Sequence, residues 1–148
     1  MPTLKYKVLA YITHGDRLLV FSHPYAPEAG IQVPGGTKRE GESPEEAIMR
    51  EAREETGLKN LQLQAFLGEF DQQVPELAEI WRRRVYHLTC EAEPPTRWRH
   101  QEMHPSDGSP GPITFEFFWV KLPDEVPALA PGHEAMVPKL LELLSLEA

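Results

Sequence analysis

Apolar residues recur along this chain with two different periods, which separates strand-like from helix-like segments. Residues 5–13 and 18–21 are rich in Val, Ile, Leu and Tyr, and the turn signal at 14–17 between them predicts a β-hairpin. Residues 61–70, where apolar and polar side chains alternate, and residues 80–90 predict two further strands.

The most regular alternation lies at 113–122, where Ile113, Phe115, Phe117 and Trp119 share one face. This pattern predicts a strand with one buried side. Shorter strands are predicted at 31–33 and 96–101. Segments rich in Pro, Gly or charge predict surface loops, which lie at 22–30, 71–79 and 104–112.

A helix is predicted to begin at Ser43 and to run to Thr56. Ser43 can cap it, Pro44 suits the first helical position, and Glu46 completes a capping box. Gly57 is placed to end the helix in the left-handed conformation that glycine tolerates.

Residues 133–146 carry apolar side chains at helical spacing and predict an amphipathic terminal helix. Strands before, between and after two helices indicate a mixed sheet packed between helices, an α/β or α+β layered domain. At 148 residues the chain is expected to form one domain, 1–148, with a substantial core.

The net charge of −8 argues against broad nucleic-acid binding, which needs a basic surface. Residues 40–55 hold seven Glu and two Arg, so five of those eight net negative charges are concentrated there. Cys90 is the sole cysteine and excludes an intramolecular disulfide. No leader-like or membrane-spanning pattern is evident, so a cytoplasmic location is expected.

Three carboxylates stand together on the predicted helix. Glu51, Glu54 and Glu55 span an arc of roughly 100° and are neighbours at spacings of three and four. Their mutual repulsion is relieved by a divalent cation, and hard carboxylate oxygens suit Mg²⁺ or Mn²⁺. The alternative interpretation is an ordinary solvated helix face, which three Glu on a helix more often form.

The residues around these carboxylates predict supporting roles. Gly35 and Gly36 permit close backbone approach to a ligand, and the Gly35 carbonyl is a candidate metal ligand. Arg50 can pair with Glu54 one turn on and reach Glu42, so it is expected to orient the carboxylates. A cation beside a tight glycine loop indicates a phosphate-bearing substrate.

The whole stretch Gly36–Leu58 resembles the Nudix box, the signature G-x5-E-x7-R-E-U-x-E-E-x-G-U of the Nudix hydrolases, in which U is a bulky aliphatic residue. Ala52 departs from the pattern, being smaller than the usual residue. The fixed polar and glycine positions are all met, by Gly36, Glu42, Arg50, Glu51, Glu54, Glu55 and Gly57.

The resemblance implies an α/β/α sandwich and Mg²⁺-dependent hydrolysis of the pyrophosphate bond in a nucleoside diphosphate linked to another moiety. It implies metal-binding or catalytic roles for Glu51, Glu54 and Glu55, with Arg50 in the same catalytic group and Gly35 as an accessory ligand. Structural roles in the box fall to Gly36, Glu42 and Gly57. Which Glu acts as general base, and how many metal ions bind, stay open.

Two carboxylates outside the box are candidates for an accessory role. Glu102 lies near the Pro- and Gly-rich loop where the family often places another carboxylate. Glu116 lies in the strand at 113–122, opposite Phe115 and Phe117, where it faces either solvent or the cleft.

Arginines and aromatic residues of the strands offer weaker signals. Arg82 and Arg84 share one face of a strand and Arg83 takes the other, so exposed ion pairs are expected rather than one phosphate-binding patch. Core packing is likewise favoured over base stacking for four aromatic residues, which are Trp81, Tyr86, Trp98 and Phe118.

The sequence predicts a small nucleotide-type substrate without identifying it, and either a monomer or a homodimer. Within the family that the box resembles, Pro75 lies near the distance after the box at which ADP-ribose-cleaving relatives tend to have a proline. The alternative hypothesis is a non-catalytic nucleotide-sensing or ligand-binding Nudix module.

Overall fold

The computed structural model describes residues 1–103 and 110–145. Seven strands and two α-helices alternate along this part of the chain. In chain order they are β1 (Thr3–His14), β2 (Arg17–Ser22), β3 (Gly35–Thr37), α1 (Pro44–Thr56), β4 (Leu61–Val74), β5 (Glu79–Cys90), β6 (Arg97–Glu102), β7 (Ile113–Lys121) and α2 (Val137–Leu143).

The strands form one mixed sheet in the order β4-β5-β1-β2-β7-β6, and β3 pairs with β1 beside this path. Among the paired strands of the described ranges, β1 and β5 run parallel and the other pairs are antiparallel. The predicted hairpin is present, with Thr13 opposite Leu18. The short strand β3 therefore brings Gly35 and Gly36 against the centre of the sheet, opposite Leu9 and Val8.

Two apolar clusters lie on opposite faces of the sheet, as the alternation along β1 shows. Val8 belongs to one cluster and Leu9 to the other. Helix α1 contributes Ile48 and Ala52 to the first cluster, and α2 contributes Leu140 to the second. The predicted mixed sheet between helices is confirmed as an α/β/α sandwich.

Helix α1 has the ends that the sequence predicts. The Ser43 hydroxyl accepts from the Glu46 backbone N–H at 3.0 Å, and the Glu46 carboxylate accepts from the Ser43 N–H at 2.9 Å. Gly57 caps the other end at φ 77°, a conformation that disfavours side chains, and a Cβ there would lie 2.9 Å from the His100 ring.

Some element bounds differ from those predicted. The strand predicted at 31–33 is reduced to isolated bridges, and the strand lies instead at Gly35–Thr37, where glycine admits the close approach of β1. Strand β4 continues into the predicted loop at 71–79 as far as Val74 and is followed by a 3₁₀ turn at Pro75–Leu77, because polar residues suit an exposed edge strand.

The terminal helix is shorter than the predicted 133–146. It begins at Val137, because Pro138 lacks the N–H of an interior helical residue and suits the first turn. Residues 104–109 of the predicted loop at 104–112 lie outside the described residues. Neither helix of the described ranges has the length and apolar character required to cross a membrane.

Candidate functional site

Three carboxylates from two elements converge beside β3. Glu51 and Glu54 project from α1, and Glu102 is the last residue of β6. One oxygen from each lies within 4.8 Å of the others. Glu51 is 0% exposed and Glu102 is 7% exposed, whereas Glu54 is accessible. We call these three residues the carboxylate trio.

The donor chemistry of the trio fits a divalent cation. Its ligand atoms are hard carboxylate oxygens, with no thiolate among them, which matches the preference of Mg²⁺ and Mn²⁺. Burial of two of these carboxylates in close company is unfavourable for the ionised forms, so bound positive charge stabilises the arrangement.

Arg50 supplies part of that positive charge from the protein itself. Its Nε and Nη2 donate to Glu42 at 2.6 and 2.9 Å, and its Nη1 donates to Glu51 at 2.7 Å. Longer contacts reach Glu54 at 3.4 Å and the Thr37 carbonyl at 3.1 Å. The Arg50 hydrogen bond lowers the pKa of Glu42 to about 2, and the Glu42 hydrogen bond raises the pKa of Arg50. Arg50 therefore joins β3, the following loop and two members of the trio.

Glycine at position 36 leaves room for this arrangement. A Cβ on Gly36 would overlap the Glu51 carboxylate, and a Cβ on Gly35 would overlap the Val8 carbonyl. The Gly35 N–H donates to Glu55 Oε1 at 3.0 Å. The predicted role of the Gly35 carbonyl as a metal ligand stays a prediction.

Two other predicted carboxylates, Glu55 and Glu116, are not members of the trio. Glu55 is buried against β3 through its bond to Gly35 and lines the adjoining cavity. Glu116 accepts hydrogen bonds from Arg97 at 2.7 Å and from Arg99 at 2.9 Å. These two cations lower the pKa of Glu116, which fits an exposed ion-pair role. Its predicted accessory role has no support from this placement.

A cavity of about 450 Å³ adjoins the box, a size suited to a small-molecule ligand. Glu55 and Glu102 line it, and so do Trp81, Arg83 and His133. Further lining side chains are Lys7, His23, Gln72 and Phe115. We call this space the central cavity.

The arginines of β5 lie on the two faces that strand alternation predicts. Arg82 pairs with Asp71 and Arg84 with Glu69, as expected of exposed strand charges. Arg83 points the other way and lines the central cavity. The alternation of β5 located Arg83 on the opposite face, but a single sequence does not show that a cavity lies there.

Of the four aromatic candidates, one lines the central cavity and three pack in the core. Trp81 lines the central cavity, where Lys7 Nζ lies 4.4 Å from its ring centroid. Trp98 stacks on Phe117 with centroids 5.1 Å apart and belongs to the core. The two remaining candidates, Tyr86 and Phe118, also pack with the core clusters.

His133 was missed because no motif marks it. Its Nδ1 accepts from the Val33 backbone N–H at 3.1 Å, which places the ring proton on Nε2. Burial, followed by the charge of Arg83, lowers the pKa of His133 to about 3. His133 therefore presents a neutral imidazole at neutral pH.

The buried His133 imidazole is expected to make folding sensitive to acid. The folded-state pKa lies near 3 and the ordinary value is 6.5, so between these values the unfolded chain binds more protons. The free energy of unfolding should fall as pH decreases from 6.5, by at most about 1.4 kcal/mol per pH unit from this group. Urea unfolding at pH 7, 6 and 5 measures the slope, and His133→Gln should reduce it. An unchanged slope in that variant would contradict the assignment.

Comparison with known proteins places this arrangement in a family. A family model described as the NUDIX domain matches residues 3–140. The crystal structure of a MutT NUDIX hydrolase from Burkholderia pseudomallei aligns with a TM-score of 0.64 and 25% identity, covering 93% of this chain and 96% of that chain.

Two further structures share the fold at lower identity. A UDP-X diphosphatase aligns with a TM-score of 0.68 and 18% identity, and the match covers 98% of this chain but 64% of that one. A bifunctional NMN adenylyltransferase/ADP ribose pyrophosphatase from Francisella tularensis aligns with a TM-score of 0.60 and 20% identity. That match covers 97% of this chain and 43% of the other chain. The family match over most of the chain confirms the resemblance found in Gly36–Leu58. The chain therefore belongs to the Nudix hydrolase family.

Proposed function

We propose that the protein is a divalent-metal-dependent pyrophosphohydrolase acting on a nucleoside diphosphate linked to another moiety. The observation that carries this proposal is the carboxylate trio, two of whose members are hydrogen-bonded by Arg50, beside a cavity of about 450 Å³. Family membership supports the reaction class. The substrate's identity depends on the cavity walls, which the box does not determine.

In this proposal Glu51, Glu54 and Glu102 hold Mg²⁺, or Mn²⁺ in its place. When bound by these carboxylates, the ion would supply positive charge at the phosphate oxygens and would lower the pKa of a coordinated water. Arg50 fixes the orientation of Glu51 and Glu54 through its fork of N–H donors. The trio therefore needs little rearrangement when the substrate enters.

We assign the role of general base to Glu55. It lines the central cavity but lies outside the carboxylate trio, and the Gly35 N–H orients its Oε1. Water attacks one phosphorus, the bond from that phosphorus to the bridging oxygen breaks, and Glu55 receives the proton of the water. A nucleoside diphosphate linked to another moiety would give two phosphate monoesters, and a nucleotide polyphosphate would give a shorter nucleotide plus inorganic phosphate or pyrophosphate.

A substrate panel tests the proposal. Nucleoside triphosphates, oxidised nucleotides, ADP-ribose, nucleotide sugars and dinucleoside polyphosphates are incubated with Mg²⁺ or Mn²⁺, and products are separated by anion exchange. We expect cleavage of at least one member with either metal, and loss of that activity to background in EDTA. Tight nucleotide binding without turnover across the whole panel would support the non-catalytic module instead.

The remaining expectations stay proposals. A reducing compartment such as the cytoplasm is supported by Cys90, which is a buried free thiol. The choice between monomer and homodimer is likewise left to measurement.

A further inference from the structure

Arg83 is a buried cation at the wall of the central cavity. It lies on β5, is 6% exposed, and its side chain lines the same cavity as Glu55 and Glu102. Strand β1 separates β5 from β3, so the backbones of β5 and β3 lie on the order of 10 Å apart. Both walls belong to one cavity of about 450 Å³, a size that admits a ligand in contact with both.

Arg83 uses only part of its hydrogen-bonding capacity within the protein. Its Nη1 donates to Gln72 Oε1 and, at 3.1 Å, to the Pro131 carbonyl. Its Nε is buried and has no acceptor among residues 1–103 and 110–145. Within those same ranges, no acceptor contacts Nη2 and no carboxylate lies within 4.0 Å of the guanidinium. Such a fork is suited to an oxyanion.

The charge of Arg83 also points to an anionic ligand. Burial lowers its pKa to about 10, so the guanidinium stays charged at neutral pH. The charge of Glu134 opposes that lowering but acts from beyond ion-pair distance. A buried charge is unfavourable until a counter-charge approaches, so Arg83 favours an anionic ligand.

Other donors line the wall near Arg83. Lys7 is its direct partner across the parallel β1–β5 pair, and Lys7 Nζ donates to the Thr37 hydroxyl at 2.7 Å. His133 lines the same cavity, and its ring can donate from Nε2 because Nδ1 accepts from Val33. Glu76 also lines it, although that side chain is exposed. The buried part of this wall is therefore cationic or hydrogen-bond donating.

Trp81 favours an oxyanion over a nucleobase at this position. Its ring centroid lies 4.4 Å from Lys7 Nζ and 5.0 Å from Arg83 Cζ. Both cations therefore use the aromatic ring as a partner. A stacked base would compete with these contacts, whereas an oxyanion would bind the cations and leave Trp81 in place.

We propose that Arg83, assisted by Lys7 and His133, binds an oxyanion carried by the moiety attached to the scissile pyrophosphate. The ligand chemistry is a phosphoryl or carboxylate group, so the subsite selects substrates with negative charge beyond the pyrophosphate. This inference rests on the proposed function for its place in catalysis. Anion binding itself does not require turnover.

Metal-free binding tests the subsite independently of hydrolysis. EDTA-treated protein is titrated with inorganic phosphate, and separately with acetate, while the ¹⁵Nε resonance of Arg83 is followed by NMR. We expect phosphate to shift that resonance and Arg83→Gln to weaken phosphate binding about tenfold or more. Stronger binding of phosphate than of acetate assigns a phosphoryl group, and the reverse order assigns a carboxylate.

Arg82→Gln is the matched control, because it removes the same charge from the neighbouring exposed residue, which pairs with Asp71. Its phosphate affinity should stay within about twofold of wild type. Equal affinities in wild type and Arg83→Gln would overturn the subsite, even if the protein hydrolyses a nucleotide. Absence of hydrolysis with intact Arg83-dependent binding would overturn only the proposed function.

Gln72→Glu separates anion binding from a purely structural clamp. The near-isosteric carboxylate would supply an internal counter-ion where Gln72 now accepts from Arg83. We expect a higher melting temperature together with about tenfold weaker phosphate binding, because the guanidinium is then occupied. A higher melting temperature with unchanged phosphate affinity would show that Arg83 only clamps Pro131 and would overturn the proposal.

Discussion

Replacing Glu54 with glutamine is expected to lower kcat by about a hundredfold or more, while the fold stays intact. Glu54 contributes an oxygen to the carboxylate trio, and its side chain is 42% exposed. Loss of groups that merely support metal ligands already costs 10- to 100-fold in metal affinity or activity, so loss of a ligand should cost at least as much. Steady-state kinetics and calorimetric Mg²⁺ titration measure the two effects.

Glu40→Gln is the control for that substitution. Glu40 is exposed, lies in the loop before α1 and is not part of the trio. The Glu40→Gln substitution removes the same charge as Glu54→Gln but at an exposed position outside the trio. We therefore expect kcat and Mg²⁺ affinity to stay near wild type. If Glu54→Gln retained wild-type turnover and Mg²⁺ affinity, both the metal-binding role of Glu54 and the proposed mechanism would be wrong.

Replacing Arg50 with alanine is expected to destabilise the metal-free protein by about 3–5 kcal/mol. Glu51 is fully buried, and Arg50 Nη1 donates to its carboxylate at 2.7 Å. Removing the cation of a buried pair leaves a buried charge poorly compensated, which is strongly destabilising. Urea unfolding in EDTA measures the loss, and Mg²⁺ should reduce the difference from wild type because it supplies positive charge at the same carboxylates.

Arg53→Ala on the same helix is the matched comparison. Arg53 is exposed in the last turn of α1, where a cation contributes about 0.3–1 kcal/mol through the helix dipole. A similar small loss in both variants would show that Arg50 does not hold the carboxylates. Equal losses with and without Mg²⁺ would show that no cation binds beside Glu51.

Much of the fold follows from local sequence signals. The hairpin and helix α1 were predictable, because turn residues, a capping box and a terminal glycine act over a few residues. The end of β4 was not, since Asp71 to Val74 read as a polar loop. These residues form a strand because they pair with β5. Their own composition gives no indication of that pairing.

The candidate site likewise contains residues that local spacing predicts and residues that it does not. Glu51 and Glu54 could be predicted to meet from helical spacing alone. Glu102 was found only through the family resemblance, because the sheet order β2-β7-β6, rather than any sequence spacing, brings it to α1. Arg83 gave no signal beyond strand alternation, since cavity walls are formed by residues distant in sequence.

The composition and register of β4 have a consequence for association between copies of the chain. Strand β4 forms one edge of the sheet, and its pairing with β5 is interrupted by register shifts at Leu63/Ala65 and Phe66/Gly68. Charged residues and irregular register on an edge strand discourage pairing with another chain's strand. The irregular register at 63–68 and the charge of Asp71 are therefore expected to disfavour edge-to-edge pairing along β4.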